Sequence, residues 1–294
     1  MDGRTGLAER FEEHRPHLHA VAYRMLGSLG EADDAVQETW LRLSRTDVGG
    51  VDNLAAWLTT VVARVSLNTL RGRRRRREEP LDVRVPDPVV APAGPDDPEY
   101  AAVLADSVGL ALLVVLDTLT PAERLAFVLH DMFAVPFDEI APMIDRSPTA
   151  ARQLASRARR RVRGQVPRPD ADLARQRQVV DAFLAAARHG DLDALVGVLH
   201  PDVVLRSDGG VARTRHTTVL TGARDVAAQA VTFGRFSPFA RPAVINGSAG
   251  VVVTAAGRPL SVMAFTISAE LIAQIDVIVD PDRLARLDLT SFTD

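Results

Sequence analysis

Apolar positions recur at three- and four-residue spacing through most of the first 165 residues, and beyond residue 199 they fall at every second position or into short runs. Leu18, Val21, Ala22, Met25 and Leu26 share one face of a helix predicted over residues 7–26, which Gly27 and Gly30 end. Residues 31–44 carry two stripes. Ala32, Ala35, Val36, Thr39, Trp40 and Leu43 face a core, while Asp33, Asp34, Gln37, Glu38 and Leu41 form an acidic face. Carboxylates in a first turn suit the helix dipole, but Gln37 and Glu38 continue the stripe past that turn, as a docking surface for a basic partner requires. A loop over residues 45–53, with Gly49 and Gly50, leads to a third helix from Leu54. Leu54, Trp57, Leu58, Val61 and Val65 are its expected buried side, and Arg64, Asn68 and Arg71 line another at i, i+4 and i+7. It runs out in residues 71–77, where six of seven are arginine, a charge density that suits a phosphate backbone.

Helical spacing resumes near Tyr100. Thr120-Pro121-Ala122-Glu123 has the spacing of a capping box with proline at the first helical position, and Leu125, Val128, Leu129 and Met132 follow on one face. Phe137, Ile140, Ala141 and Ile144 make a short apolar face, Asp145-Arg146 leaves a tight turn, and Ser147-Pro148 opens another helix. In that helix Ala151, Leu154, Ala155, Ala158 and Val162 form a narrow small-residue stripe. The opposite side carries Thr149, Arg152, Gln153, Ser156, Arg160 and Arg163, with Arg157 beside it and no carboxylate on the helix. Two helices joined by a tight turn, the second bearing such a row, have the form of a helix-turn-helix presented to a major groove.

Between these helical stretches, prolines at 80, 86, 88, 92, 95 and 98 predict a linker over residues 78–99 without regular helix or sheet. Its acidic residues at 78, 79, 82, 87, 96, 97 and 99 against Arg84 give −7 + 1 = −6, so it repels itself and extends. After Pro167 and Pro169 the pattern changes again: helices over 173–189 and 191–199, then strands over 203–206, 243–246, 250–255, 260–267 and 271–279. Helices followed by strands predict an α+β domain with an antiparallel sheet.

Composition narrows the classes. The chain has 294 residues, room for two or three domains, and 47% apolar against 25% charged residues describes a folded protein. With no cysteine there is no disulfide, thiolate nucleophile or cysteine-based metal site. Every basic residue other than histidine is arginine, the better reader of phosphate and guanine. The net charge of −3 conceals strong segregation of charge along the chain. No signal peptide and no run approaching the roughly 20 apolar residues of a membrane span is apparent, so a cytoplasmic location without membrane contact is expected.

The stretches EADDAVQETWLRL, AWLTTVVARVSLNTLRGRRRRRE and TPAERLAFVLHDMFAVPFDEIA, followed by SPTAARQLASRAR, resemble regions 2 and 4 of a bacterial extracytoplasmic-function (ECF) RNA polymerase sigma factor. The last resembles the SigJ-type subgroup, in which a SnoaL-like domain of the nuclear-transport-factor-2 (NTF2) superfamily follows. FLAAARHGDLDALVGVLHPDVVLRSDGG is similar to the opening of such domains. The resemblance implies a multidomain chain: an all-α region 2 at residues 1–77, the acidic linker at 78–99, an all-α region 4 helix-turn-helix at 100–166, and an α+β SnoaL-like cone at 167–294. It implies core RNA polymerase and promoter DNA as partners. Asp33, Asp34, Gln37 and Glu38 are then expected to meet polymerase. Asn53, Trp57, Arg64, Asn68, Arg71, Arg73 and Arg74 are expected at the −10 element, and Thr149, Arg152, Gln153, Ser156, Arg157 and Arg160 at the −35 element.

In the subgroup the linker, threaded through the polymerase cleft, carries Trp-Leu-Pro-Glu-Pro; here Arg84-Val85-Pro86-Asp87-Pro88 keeps the prolines and lacks the aromatic. Asp208-Gly209-Gly210 and Asp280-Pro281-Asp282-Arg283-Leu284 match two elements of the extension, with Val211 in place of a third glycine and Asp280 in place of asparagine. Both read locally as turns. As a regulatory set the resemblance implies Pro86, Asp87, Pro88, Asp208, Gly209, Gly210, Asp280, Pro281 and Asp282. His14, His17 and His19 cluster in sequence on a packing helix, and no metal or other cofactor is expected. His200, Asp202, Asp208, His216 and Asp276 are types that could move protons in a dry pocket, although the superfamily uses one shell for enzymes and binders alike. The expectation is a non-enzymatic sigma factor modulated in cis, with a small-molecule ligand in the cone left open. The alternatives are a ligand-sensing helix-turn-helix regulator and a cyclase-like or isomerase-like enzyme.

Overall fold

The computed structural model describes residues 3–46, 52–76, 84–93, 109–165, 170, 172–210 and 213–293. Two compact units divide the chain, residues 1–80 with 115–165 and residues 81–114 with 166–294.

In the first unit α1 (Gly3–Leu26), α2 (Leu29–Leu43) and α3 (Leu54–Arg76) pack pairwise. Their core holds Phe11, Leu18, Met25, Val36, Leu43, Leu58, Val62 and Leu67. Gly27 breaks α1 with φ 63°, a left-handed conformation that favours glycine. The buried arc of α3 is broader than its expected stripe. It runs through Leu58, Val62, Ala63, Leu67 and Leu70, leaving Trp57, Val61 and Val65 half-buried at its margin, because α3 faces both α1 and α2.

The same unit holds the end of α4 (Leu110–Asp117), then α5 (Pro121–Phe127), a π-helical turn Val128–Met132, α6 (Phe137–Ile140), a 3-10 turn Ala141–Met143 and α7 (Pro148–Gln165). The capping box is complete: Thr120 accepts from the Glu123 amide, and the Glu123 carboxylate accepts from the Thr120 amide at 3.1 Å. Asp145, at φ 55°, makes the turn between the last two helices. The segments on either side of residues 77–108 share a core. Arg124 is 2% exposed and donates to the Arg24 carbonyl at 3.1 and 3.2 Å, and the Arg24 guanidinium lies 4.7 Å over Phe133.

The second unit is an α+β domain built on a 7-stranded sheet of order β1-β4-β5-β6-β7-β2-β3. The strands are β1 (Val90–Pro92), β2 (Leu199–Asp208), β3 (Thr218–Thr221), β4 (Ala240–Ile245), β5 (Ser248–Ala255), β6 (Arg258–Ser268) and β7 (Leu271–Ile278). Helices α8 (Leu173–His189), α9 (Leu192–Val198) and α10 (Ala223–Phe233) cover one face, and α11 (Pro281–Leu284) follows β7. Phe183 meets Phe265 edge to face at 5.6 Å in that core, with Leu195, Leu205, Val226 and Ile275 buried around them.

Two expectations are corrected. The sheet is mixed and not wholly antiparallel, since β2 runs parallel to β7 with Leu205 opposite Ile275 and Arg206 opposite Asp276. A β4–β7 meander separates these strands in sequence, so closure of the fold, and not a hairpin turn, sets their direction. The proline-rich linker also contributes a strand: β1 pairs antiparallel with β4, Val90 opposite Ile245 and Pro92 opposite Ala243. As an edge strand it tolerates a proline that lacks its N–H.

Candidate nucleic-acid interface and linker clamp

The last helix of the helix-turn-helix is anchored by what its sequence lacks. Ser147 caps it, accepting from the Ala150 amide at 3.2 Å, and Ala151, Ala155 and Ala158 are buried without exposure. Carboxylates absent from α7 are supplied by its neighbours, on both flanks. Arg159 pairs with Asp131 at 2.5 Å on one side, and on the other Arg157 and Arg161 approach Glu123 at 3.6 and 3.7 Å. Burial pushes the Glu123 carboxyl up, but Thr120 and the two guanidiniums outweigh it and hold the pKa below its ordinary value. With the flanks tied down, Thr149, Arg152, Gln153, Ser156, Arg160 and Arg163 stand exposed on the remaining face. The Arg152 guanidinium rests 5.3 Å from the Phe137 ring, which steadies it without neutralising it. Arg157, expected in the reading row, stands on the Glu123 flank instead while remaining 55% exposed.

On α3 the helical period decides which arginines share a face. Trp57, Arg64, Asn68 and Arg71 fall at i, i+7, i+11 and i+14, on one stripe; Arg64 and Asn68 are exposed, Trp57 and Arg71 half-buried. Asn53 caps the helix, accepting from the Ala56 amide at 3.0 Å. Arg74 is exposed. Arg73 lies two residues beyond Arg71, about 200° around the helix, and turns inward. It pairs with Glu31 and donates to the Leu26 carbonyl at 2.9 Å, satisfying the open end of α1. That separates it from the expected −10 set. Residues 47–51 of the preceding loop and Arg77 lie outside the described residues.

The acidic stripe is on the surface of α2. Asp33, Asp34 and Gln37 are exposed, and Glu38 is half-buried in an i, i+4 pair with Arg42 at 2.9 Å. His19 approaches Asp33 at 3.3 Å, while His17 bonds Thr59 at 3.1 Å, so the three early histidines do not converge.

Within the α+β unit the linker is clamped. Arg283, from the Asp280 to Leu284 element, donates to Asp87 at 3.0 Å, to Asp208 at 2.5 Å and to the Val85 carbonyl at 2.6 Å. Asp208 also accepts from the Val85 amide at 3.0 Å. One guanidinium thus joins the linker to both elements of the extension. Two residues further on, the Val89 amide donates to Asn246 Oδ1 and the Asn246 amide donates to the Val89 carbonyl, both at 3.0 Å, leading into β1. Pro86 and Pro88 are buried between these bonds, where a fixed φ suits an extended strand. The glycines are required by close approach: a Cβ at Gly210, which has φ 58°, would overlap the Asp280 carboxylate, and one at Gly209 would overlap the Arg213 carbonyl. Asp280 caps α11, accepting from the Asp282 amide at 3.0 Å, and Pro281 begins that helix. Asp87, Asp208, Gly210 and Asp280 are thus drawn together with Pro86 and Pro88, while Pro281 and Asp282 form the first turn of α11. Arg283 and Val85 entered the sequence reading only as members of their motifs, and Asn246 only as the end of a strand; Arg283 is the cation of its own element, in a chain whose linker has charge −6.

The five acid–base candidates do not converge. His200 Nδ1 accepts from the Asp202 amide at 3.1 Å, Asp208 belongs to the clamp and His216 is exposed. Asp276 is 2% exposed between Arg206 at 3.5 Å and Gln274; burial raises its pKa, and these two neighbours oppose that. Among the described residues no cluster could hold a metal ion.

A helix-turn-helix with an exposed polar row, an arginine-bearing helix beside it, and an α+β extension clasping the linker define a multidomain DNA-reading factor. The Sigma-70 region 2 family matches residues 10–76 and the Sigma-70, region 4 family matches residues 109–162. The probable ECF RNA polymerase sigma factor SigI of Mycobacterium tuberculosis is 36% identical over 290 residues, 97% of each chain. SigJ of the same organism is 47% identical over 200 residues, a match spanning 67% of this chain and 64% of that relative. The crystal structure of M. tuberculosis SigJ superposes with a TM-score of 0.75 at 35% identity, covering 96% of this chain and 99% of that one. The chain belongs to the ECF RNA polymerase sigma factor family.

Proposed function

We infer that the chain is a promoter-specificity subunit. It binds core RNA polymerase through Asp33, Asp34, Gln37 and Glu38, meets the −10 element with Trp57, Arg64, Asn68, Arg71 and Arg74, and reads the −35 element from α7. The observation that carries this reading is the division of labour on α7. Arginines on its flanks are spent on Glu123 and Asp131, which frees Thr149, Arg152, Gln153, Ser156 and Arg160 for base edges and phosphates. Run-off transcription with core polymerase and a cognate promoter tests it: the wild-type chain yields transcript and Arg152→Ala yields less. Transcript independent of the chain overturns the assignment.

The extension is regulatory in this reading. Residues 84–92 cannot both lie in the Arg283 clamp and thread a polymerase cleft, so docking on polymerase competes with the clamp. Shifting two states tenfold takes about 1.4 kcal/mol, which a few charged hydrogen bonds supply. The polymerase partner places the protein in the cytoplasm; among the described residues no helix is long and apolar enough to cross a membrane. Scattering of the acid–base candidates supports a non-catalytic role for this domain.

A further inference from the structure

The α+β domain carries a second charged surface that the clamp does not use. Between residues 213 and 269 there are six arginines and one carboxylate, Asp225, giving +6 − 1 = +5 in a chain whose net charge is −3. From 226 to 269 there is no carboxylate at all. Two short segments concentrate this charge. One is the 3-10 turn Thr214–His216, where Arg213, Arg215 and His216 are exposed. The other is the end of α10 with the 3-10 segment Gly234–Phe239, which bears Arg235.

Aromatic rings interleave with these cations. The His216 ring meets Phe233 at 6.4 Å, Phe233 stacks on Phe236 at 6.5 Å with 25° between planes, and Arg235 lies 4.9 Å over Phe236. Phe233 is 40% exposed and Phe239 48%, although the buried face of the same domain has room for Phe183 and Phe265. A single exposed phenylalanine carries no message, but several together, among arginines in a stretch whose one carboxylate is Asp225, do. The backbone beneath packs closely on α8: a Cβ at Gly234 would overlap the Ala187 carbonyl, and the Ser237 hydroxyl donates to the Leu184 carbonyl at 3.2 Å.

We propose that this surface, Arg213, Arg215 and His216 with Phe233, Arg235 and Phe239, binds single-stranded nucleic acid. Cations that track phosphates and rings that stack on unpaired bases are the two components of such sites, and duplex bases, already stacked, offer no face to a ring. Two copies of the patch facing each other would set arginine against arginine, which disfavours pairing of the chain with itself through it. The proposal goes beyond the promoter-specificity reading and stands without it.

The test uses the full chain and a fluorescein-labelled oligothymidine of about 20 nucleotides. Arg215→Glu with Arg235→Glu weakens oligothymidine binding about tenfold, flattens its salt slope by about 1.4, two phosphate contacts at about 0.7 each, and leaves duplex −35 binding unchanged. Phe233→Ser with Phe239→Ser weakens it without altering the slope. Oligomers bearing 5-iodouracil cross-link on irradiation to peptides within residues 213–241. If the charge-reversed chain melts early, Arg215→Gln with Arg235→Gln replaces it, and a slope reduced by the same amount is expected. Unchanged oligothymidine affinity, or cross-links confined to α3 and α7, overturns the proposal. Loss of binding to anionic vesicles with oligothymidine binding intact also overturns it, in favour of a membrane surface, as does a change in oligomeric state alone, in favour of self-association.

Discussion

On α7, Arg152, Arg160 and Arg163 reach into solvent with no carboxylate on their own helix, whereas Arg283 is surrounded by Asp87, Asp208 and the Val85 carbonyl and is 14% exposed. The same side chain is left uncommitted in one place and fully committed in the other. An exposed guanidinium keeps its hydration until a phosphate or base edge replaces it, so it contributes little to folding and much to binding. A guanidinium enclosed with two carboxylates contributes to one arrangement of the chain, and removing it leaves those carboxylates facing each other. In the proposed regulation the committed mode holds the linker and the uncommitted mode reads DNA.

The largest expected effect breaks the committed side. Arg283→Ala removes the cation that Asp87 and Asp208 share and weakens linker docking by about 3–5 kcal/mol, the loss typical of one partner in a buried pair. Hydrogen exchange at the Val85 and Val89 amides measures it, with protection falling in the variant. Unchanged protection would show that β1 alone holds the segment. On the uncommitted side, Arg152→Ala or Gln153→Ala costs about 1–3 kcal/mol of discrimination at one or two −35 base pairs, read by competition among promoter variants, with the melting temperature unchanged. Arg163→Ala weakens all sequences alike and lowers the salt slope by roughly 0.9. Equal behaviour of the two classes would reduce α7 to a phosphate clamp. Reversing charge at Asp33, Asp34 and Glu38 together lowers affinity for core polymerase in titration, while stability moves by about 0.5 kcal/mol or less.

The smallest effect is confined to pH. Asp276 has a raised pKa in the folded state, so its protonated form is favoured there, and the chain loses stability as pH rises through the folded pKa. Asp276→Asn melts like the wild type in acid and at a higher temperature than the wild type at alkaline pH. Parallel melting curves across the range would show that Asp276 stays ionised, held by Arg206.

How much of this was legible depended on the distance over which a residue finds its partner. Ser147-Pro148, the Thr120–Glu123 box and the alanine stripe of α7 are local, and the structure repeats them. Arg73 was misplaced because a run of arginines hides the helical period; counting from Arg71 turns it to the far side. Val90–Pro92 read as irregular because prolines dominate its neighbourhood, yet its partner strand begins some 150 residues later, beyond any local pattern. The parallel β2–β7 pairing is hidden for the same reason. Thr218–Thr221 is a short edge strand of half-exposed and exposed residues, without a strong apolar period. Asp208, Gly209, Gly210 and Asp280 were visible only through resemblance; locally they are turns, and their convergence on Arg283 is tertiary.

Strand β1 also has a hygienic role. It covers the outer backbone of β4 with three residues, and the Asn246 pair extends that cover to Val89. Once the linker leaves, the amides and carbonyls facing it are bare, with Val244 and Ile245 among them, and a bare edge is a template for another chain. If docking on polymerase draws the linker away as proposed, the freed form is the more aggregation-prone one, and keeping it dispersed depends on how quickly polymerase takes up the linker and how quickly β1 returns.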